Sequence, residues 1–382
     1  MEQVYLDNAA TTPLRKEVAD AMADVLRNEF GNPSSTHSYG RSSKALIESS
    51  RKKIAGLFNV EASEIIFTSG GTEADNMIIK SCVRDLGVTR IITSRIEHHA
   101  VLHSIDELQK YYSLEVDYVN VHKNGVIDQK HLKDLLEKSS FKTLVTLMHV
   151  NNEIGNKLDL KRVAILCKEH GALFHSDTVQ SVGHFHLDFN GIPIDFAAAS
   201  AHKFHGPKGI GFAFIRKSSS IKPLIHGGEQ ERGLRAGTEP VHQIVGLTKA
   251  LEMAYENLED ETTYIQSIKS YCIEQLESHF SEVKFNGASN NLEQSTYTIL
   301  NVCLPISPDR SSMLLFQLDL KNIACSKGSA CQSGSTGTSH VLQEILSDED
   351  LQKPSIRFSF SKYTTRKDID YTIEVLKDFI ND

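Results

Sequence analysis

The sequence predicts an α/β protein in which helices cover both faces of a mostly parallel sheet, followed by a smaller α+β domain. Two observations indicate this fold class. From about residue 60 to residue 217, short apolar segments alternate with amphipathic ones, and alternating strands and helices produce parallel strands joined by crossover helices. After residue 258 the pattern changes to helix, strand, helix and strand, which indicates a separate unit.

The strands of the large sheet are predicted from short apolar runs that end in polar or glycine-rich residues. They span residues 65–68, 90–93, 116–121, 143–150, 173–175, 196–200 and 211–217. One intervening helix is marked by apolar residues at i, i+3, i+4 and i+7, namely Leu160, Val163, Ala164 and Cys167. Gly171 is placed to end that helix, and a long helix is predicted over 241–258.

The chain has 382 residues, which is enough for two or three domains. We expect a large domain over 14–258 and a small one over 259–382, with residues 1–13 packed on the small domain. Within the small domain, the pattern predicts helices near 262–280 and 311–320 and strands at 295–304 and 355–361.

Composition and charge exclude several classes of protein. With 40% hydrophobic and 24% charged residues, the chain is expected to fold compactly. Its 49 acidic and 41 basic side chains give a net charge of -8, which disfavours nucleic acid as a partner. There is no apolar run of 18 residues and no signal-peptide pattern at the start, so we expect a cytoplasmic protein without a membrane partner.

The cysteine spacing argues against a disulfide framework and against a structural zinc site. No two cysteines form a CxxC pair, and six are spread along the chain: Cys82, Cys167, Cys272, Cys303, Cys325 and Cys331. Cytosolic cysteines in such a pattern are expected to be free thiols.

Polar and glycine-rich clusters follow the predicted strands. They occupy residues 69–73, 97–99, 151–153, 175–177 and 200–203. Because ligands of open α/β sheets bind outside the carboxyl ends of the strands, these clusters are expected to form one ligand site.

The first cluster suggests a phosphate site. Gly71 and Thr72 precede the apolar residues of a predicted helix, and the N-terminus of a helix favours an anion. Taken alone, such a glycine turn is more often a simple helix cap. It matches neither the GxxxxGK[ST] loop nor the GxGxxG fingerprint.

Two further residues suggest pyridoxal phosphate. A desolvated lysine such as Lys203 can form a Schiff base, and a carboxylate such as Asp177 can keep a pyridine nitrogen protonated. Only the combination with a phosphate site favours this cofactor. A metallohydrolase is the competing interpretation, with metal ligands from His98, His99, His175, Asp177 and His202, although their spacing fits no motif such as HExxH.

Nine segments together resemble the cysteine desulfurases, which are fold-type I pyridoxal phosphate enzymes of the NifS and IscS kind. They occur in the same order from residue 5 onward: YLDNAATT, GNPSSTH, TSGGTEADN, EHHA, HVNNEIG, HSDTVQ, SAHKFHGPKG, GGEQERGLRAGT and GSAC. The resemblance continues to Arg357. It implies a large domain built on a sheet of mostly seven strands.

The resemblance also implies roles for individual residues. Lys203 would form the Schiff base with the cofactor, Asp177 would contact the pyridine nitrogen, and His98 would stack on the ring and exchange protons. The implied phosphate ligands are Gly71, Thr72, Ser200, His202 and, from the partner subunit of a homodimer, Thr238.

Four more residues complete the implied site. Gln180 would contact the ring hydroxyl, Asn152 would lie between cofactor and substrate, and Arg357 would bind the substrate carboxylate. Strand alternation independently separates Arg357 from the apolar residues on either side of it. Cys331 would be the catalytic thiol, and Cys325 has the weaker claim.

The implied activity is removal of sulfur from L-cysteine, which yields L-alanine and a persulfide on Cys331. The sulfur would pass to an acceptor protein, such as an iron-sulfur scaffold or a thiolation protein. A selenocysteine lyase on the same scaffold is the alternative within the enzyme class. A sulfur carrier with an inactive cofactor site would require the loss of Lys203, Asp177 or His98, and all three are present.

Overall fold

A computed structural model describes residues 3–138, 141–311, 313–327 and 339–381. The strands are β1 Val4–Tyr5, β2 Ile65–Thr68, β3 Arg90–Thr93, β4 Glu115–Tyr118, β5 Thr143–Thr146, β6 Leu173–Asp177, β7 Phe196–Ser200, β8 Gly211–Ile215, β9 Lys284–Phe285, β10 Ile299–Cys303, β11 Ile323–Ala324 and β12 Ser355–Ser359. The helices are α1 Lys16–Asn28, α2 Ser38–Leu57, α3 Gly71–Arg84, α4 His99–Gln109, α5 Gln129–Glu137, α6 Leu160–Glu169, α7 Val241–Glu256, α8 Leu258–His279, α9 Pro308–Ser311, α10 Leu314–Leu320, α11 His340–Ile345, α12 Asp348–Gln352 and α13 Arg366–Asn381. Among these helices, none is both long and apolar enough to cross a membrane.

Seven strands form the large sheet in the order β2-β8-β7-β6-β5-β3-β4. Neighbouring strands from β7 through β4 are parallel, whereas β8 is antiparallel to both β7 and β2. The predicted α/β fold with a mostly parallel sheet of seven strands is therefore confirmed. β8 pairs with β7 in the antiparallel direction because only residues 201–210 separate the two strands, and a parallel pair needs a longer crossover connection.

Helices pack on both faces of this sheet. Successive residues of a strand point to opposite faces, so Val145 and Ala197 join an apolar cluster with α1, α2, α6 and α7. Their neighbours Leu144 and Ala198 join a second cluster with α3 and α4. The central strands are therefore buried on both sides, which explains why they read as continuous apolar runs.

A second sheet, with the strand order β12-β10-β9, belongs to the C-terminal part of the chain. Its apolar cluster includes residues of α8, α10 and α13, and Val4 and Leu6 from the N-terminus join it. β1 also pairs in parallel with β11. Only Asn257 separates α7 from α8, and the domain boundary after residue 258 stays a prediction.

One predicted strand is shorter than its apolar run. β5 ends at Thr146, although the sequence predicts a strand to residue 150. Residues 147–150 are nevertheless buried, because this segment packs at the edge of the cleft described below. Met148 donates its backbone N–H to the Glu97 carboxylate, at 2.9 Å from Oε2. His149 donates its backbone N–H to the Asp177 carbonyl at 3.0 Å, and Val150 forms an isolated bridge with Lys157, so backbone pairing continues past the end of β5.

Candidate active site

A cleft lies at the carboxyl ends of the parallel strands, where open α/β sheets bind ligands. Ten residues that the sequence nominates line it: Gly71, Thr72, His98, Asn152, Asp177, Gln180, Ser200, His202, Lys203 and Arg357. Thr238 is exposed and does not line this cleft. Cys331 lies outside the described residues, so its position at the site stays a prediction.

Lys203 ends the short 3-10 turn Ala201–Lys203 that directly follows β7. Its ammonium nitrogen donates to the carbonyl oxygens of Ala9 at 2.6 Å and Ala10 at 2.8 Å. Its backbone carbonyl accepts a hydrogen bond from Nε2 of His184 at 3.0 Å. The lysine is therefore held in the cleft by the N-terminal segment on one side and by a half-buried histidine on the other.

Asp177 and His98 face each other across the same cleft. Asp177 ends β6, and its Oδ1 accepts the backbone N–H of Val179 at 2.9 Å. Burial raises the pKa of Asp177, and the positive charge available on His98 and Lys203 opposes that rise. His98 caps α4 by accepting the Ala100 N–H at Nδ1, 3.1 Å away, so the proton of the neutral ring lies on Nε2.

The glycine turn before α3 leaves room for an anion. A Cβ atom on Gly71 would lie 2.5 Å from Cγ2 of Val179, and one on Gly70 would lie 3.5 Å from Oγ of Ser200. Gly70 has a φ of 152°, which favours glycine. The open floor, the backbone N–H groups of α3 and the nearby Thr72 hydroxyl together fit a phosphate group.

His202 lies at this same end of the cleft. Its Nδ1 is 3.2 Å from the Thr11 hydroxyl. Burial lowers its pKa to about 4, and Lys203 and Lys208 add to that effect. His202 is therefore neutral near pH 7, and a neutral imidazole can donate one hydrogen bond to a phosphate oxygen.

The remaining nominated residues lie where β12 meets the large sheet. Arg357 is 1% exposed, donates from Nη1 to the Asn152 carbonyl at 2.8 Å, and pairs through Nη2 with Asp7 Oδ1 at 2.9 Å. Its Nε has no hydrogen-bond partner among the described residues. Gln180 donates to the Ala9 carbonyl at 2.9 Å. A buried guanidinium with an unused donor fits the carboxylate of an amino-acid substrate.

Sequence reasoning missed part of this cleft. Residues 9–11, Asp75, Met148 and Val150 also line it. Residues 9–11 could have been identified from the YLDNAATT segment. This segment carries part of the family resemblance, although it precedes the first strand of the large sheet. Asp75 shares the i, i+3, i+4, i+7 face of α3 with Ile78, Ile79 and Cys82, so the helix periodicity was the signal that could have identified it as a buried carboxyl group.

The structure separates the side chains of the metallohydrolase alternative. Of its five nominated ligands, only His98 and Asp177 belong to a group of three side chains whose ligand atoms lie within 4.8 Å of one another, and the third member is Asp75. This is the one such group in the described part of the chain. Two of its three members are needed for the pyridoxal phosphate arrangement, which accounts for more of the cleft.

Comparisons with known proteins agree with this geometry. The model of the aminotransferase class-V family matches residues 4–372. A cysteine desulfurase IscS of Dictyoglomus turgidum is 42% identical, over 99% of this chain and 94% of that protein. The cysteine desulfurase IscS of Methanosarcina thermophila is 40% identical, over 99% of this chain and 92% of the other.

Solved structures give the same result. A NifS-like protein superposes with a TM-score of 0.90 at 34% identity and full coverage of both chains. A NifS-like protein from Rickettsia africae gives 0.88 at 30% identity, also with full coverage. SspA in complex with cysteine gives 0.82 at 31% identity, over 95% of this chain and all of that one. This chain therefore belongs to the aminotransferase class-V family and, within it, to the pyridoxal phosphate-dependent cysteine desulfurases.

Proposed function

We propose that this protein removes the sulfur atom of L-cysteine, releases L-alanine and holds the sulfur as a persulfide on Cys331 for transfer to an acceptor protein. One observation carries the proposal. Lys203, Asp177 and His98 converge in a single cleft, next to a glycine turn that fits phosphate and a buried arginine that fits a carboxylate.

Pyridoxal phosphate, when bound, supplies an electron sink for the negative charge that develops at the substrate Cα. The residues of the chain do the remaining work. The Asp177 carboxylate would accept a hydrogen bond from the protonated pyridine nitrogen, and the amine of Lys203 would take the proton from the substrate Cα. Arg357 binds the substrate carboxylate and so fixes which bond of the amino acid faces Lys203.

The sulfur-transfer step needs a thiolate and a proton donor. The Cys331 thiolate attacks the substrate sulfur, so that a sulfur-sulfur bond forms while the bond between carbon and sulfur breaks. The electron pair of the broken bond stays on the substrate carbon, which takes up a proton and becomes the methyl carbon of alanine. Nε2 of His98 is the proton-bearing nitrogen of its ring and is available for this transfer.

The other cysteines are poor nucleophiles where the structure describes them. Burial raises the pKa of Cys272 to about 12. Burial and the nearby Asp7 carboxylate raise that of Cys325 to about 12. Burial likewise raises the pKa values of Cys82, Cys167 and Cys303. A thiol reacts as the thiolate, so these residues support Cys331 by elimination among the described thiols.

Substitution of Cys331 tests the proposal. Cys331→Ser should bind the cofactor and change its absorbance on addition of cysteine, but it should produce no alanine and no sulfide. Cys325→Ser is the matched control and should remain active. Peptide mapping after one turnover should find the persulfide on Cys331, and a persulfide on Cys325 would overturn the assignment.

Three finer statements extend the proposal. The protein acts as a homodimer in which the Thr238 hydroxyl binds the cofactor phosphate across the interface. It works in the cytoplasm, and it delivers sulfur to an iron-sulfur scaffold or a thiolation protein. The support for the dimer is the GGEQERGLRAGT segment, in which Thr238 is exposed and lies away from the cleft of its own chain.

A further inference from the structure

Asp75 is a buried carboxyl group at the cofactor cleft for which the proposed mechanism has no role. It lies in α3 and is 1% exposed. Ligand atoms of Asp75, Asp177 and His98 lie within 4.8 Å of one another. Two carboxyl groups this close in a buried site do not both ionise readily, so one of them is expected to hold a proton.

A neutral histidine lies behind Asp75. Nε2 of His175 is 3.4 Å from Asp75 Oδ1, and neither atom makes a hydrogen bond among the described residues. Burial lowers the pKa of His175 to about 3, so this ring does not neutralise a carboxylate. Nδ1 of His175 lies 2.8 Å from the Thr146 hydroxyl.

The surroundings of the two carboxyl groups decide which one is protonated. Asp177 accepts the Val179 N–H. Burial raises the pKa of Asp177, and the positive charge of Lys203 opposes that rise. Asp75 is buried, and its burial together with the nearby Asp177 carboxylate raises its pKa well above 3.8.

A consistent direction of hydrogen bonds follows. The Thr146 hydroxyl donates to Nδ1 of His175, which places the ring proton on Nε2. Nε2–H then points to Oδ1 of Asp75. The other oxygen of a protonated Asp75 can donate toward Asp177, whose Oδ1 already accepts the Val179 N–H.

We propose that Asp75 is a positioning residue that stays protonated at neutral pH and donates a hydrogen bond to Asp177, so that one negative charge, and not two, faces the pyridine nitrogen. This inference rests on the proposed function, since it concerns the carboxylate assigned to that nitrogen. It defines the electrostatics of the cofactor site without adding a further catalytic residue.

Asparagine is the critical substitution because it mimics a protonated aspartate. Its amide nitrogen can donate to Asp177 and its oxygen can accept from His175, whereas it cannot replace a negative charge. Asp75→Asn should therefore keep the affinity for pyridoxal phosphate within about threefold of that of the unmodified enzyme. Asp75→Ala removes both hydrogen bonds and should weaken cofactor binding by at least about tenfold.

Infrared spectroscopy can detect whether the Asp75 carboxyl group is protonated. At pH 7 the holoenzyme should show a carboxylic-acid carbonyl band that the difference spectrum between the unmodified enzyme and Asp75→Asn assigns to Asp75. Glu97 is the control because burial also raises its pKa, to about 8, so it contributes a separate acid band, which Glu97→Gln removes and Asp75→Asn leaves in place. The pH titration of the cofactor absorbance should be the same for Asp75→Asn and the unmodified enzyme.

Two outcomes would overturn the inference. One is the absence of an Asp75 acid band, and the other is a shift of the absorbance titration to lower pH in Asp75→Asn, which would indicate that a second negative charge had been removed. Both readouts are independent of turnover. A holoenzyme with the acid band but without desulfurase activity would contradict the proposed function and leave the protonation of Asp75 intact.

Discussion

Arg357 Nη2 lies 2.9 Å from Asp7 Oδ1, although the two residues are 350 positions apart in the chain. The same carboxylate oxygen accepts the Ser326 hydroxyl at 2.7 Å. Asp7 thus connects the N-terminal segment, the end of β12 and the residues that precede the GSAC segment. A buried guanidinium needs a charged partner, and Asp7 supplies it while leaving the Arg357 Nε without a partner among the described residues.

Arg357→Lys is expected to weaken substrate binding. Lysine keeps the charge but loses the two-pronged contact with a carboxylate, so the KM for cysteine should rise by at least about tenfold while kcat changes less. Steady-state kinetics checks this, with thermal unfolding to confirm that the variant folds. An unchanged KM would mean that another group binds the substrate carboxylate.

Lys203→Ala should abolish turnover and remove the visible absorbance of the holoenzyme, because Lys203 is the amine expected to bind the cofactor covalently. Lys208→Ala is the matched control, since Lys208 lines the same cleft and should leave the chromophore in place. Absorbance spectra of the purified proteins decide the matter. Stoichiometric divalent metal without a chromophore in the unmodified protein would favour the metallohydrolase alternative.

Mixed dimers test whether Thr238 of one subunit contributes to the cofactor site of the other. If Thr238 acts across the interface, one Lys203→Ala chain paired with one Thr238→Ala chain places both lesions in one site and leaves the other site intact. Co-expressed mixed dimers should therefore recover activity that neither parent dimer has in full. The absence of recovery, with mixed dimers verified by mass, would count against sharing.

Lys269 should make stability depend on pH. It is fully buried and donates to Ser295 Oγ at 2.9 Å and to the Thr296 carbonyl at 2.6 Å. Burial lowers its pKa from the ordinary 10.5 to about 7. Between these two values the unfolded chain binds more protons than the folded one, so the free energy of unfolding should rise with pH across this range.

The measurement compares urea unfolding of the unmodified protein and Lys269→Met at pH 7 and pH 9. Methionine cannot titrate, so the stability of the unmodified protein should increase relative to the variant as the pH rises. Below pH 7 the lysine is charged in both states and the difference should become constant. A difference that stays the same from pH 7 to pH 9 would show that Lys269 does not titrate in this range.

The local pattern of apolar and polar residues along the chain determined much of the fold. Strands β2, β3 and β7 have the bounds that the sequence predicts, because a strand buried on both faces appears as a short apolar run that ends in polar or glycine residues. The pattern was less accurate at residues 147–150, where Leu147 joins the apolar core and Met148 and Val150 line the cleft, although β5 itself ends at Thr146. Periodicity reports burial, and burial has more than one structural cause.

The sequence by itself determined which chemical groups are available and placed most of them after strands: Thr72, His98, Asp177 and Lys203 were all nominated from motif and position. Only the tertiary structure decided what surrounds each group. In the folded chain, the carbonyls of Ala9 and Ala10 accept hydrogen bonds from Lys203. Asp75 lies beside Asp177, and Asp7 forms an ion pair with Arg357. Such contacts join distant segments, and they depend on how whole elements pack, which short-range spacing along the chain does not encode.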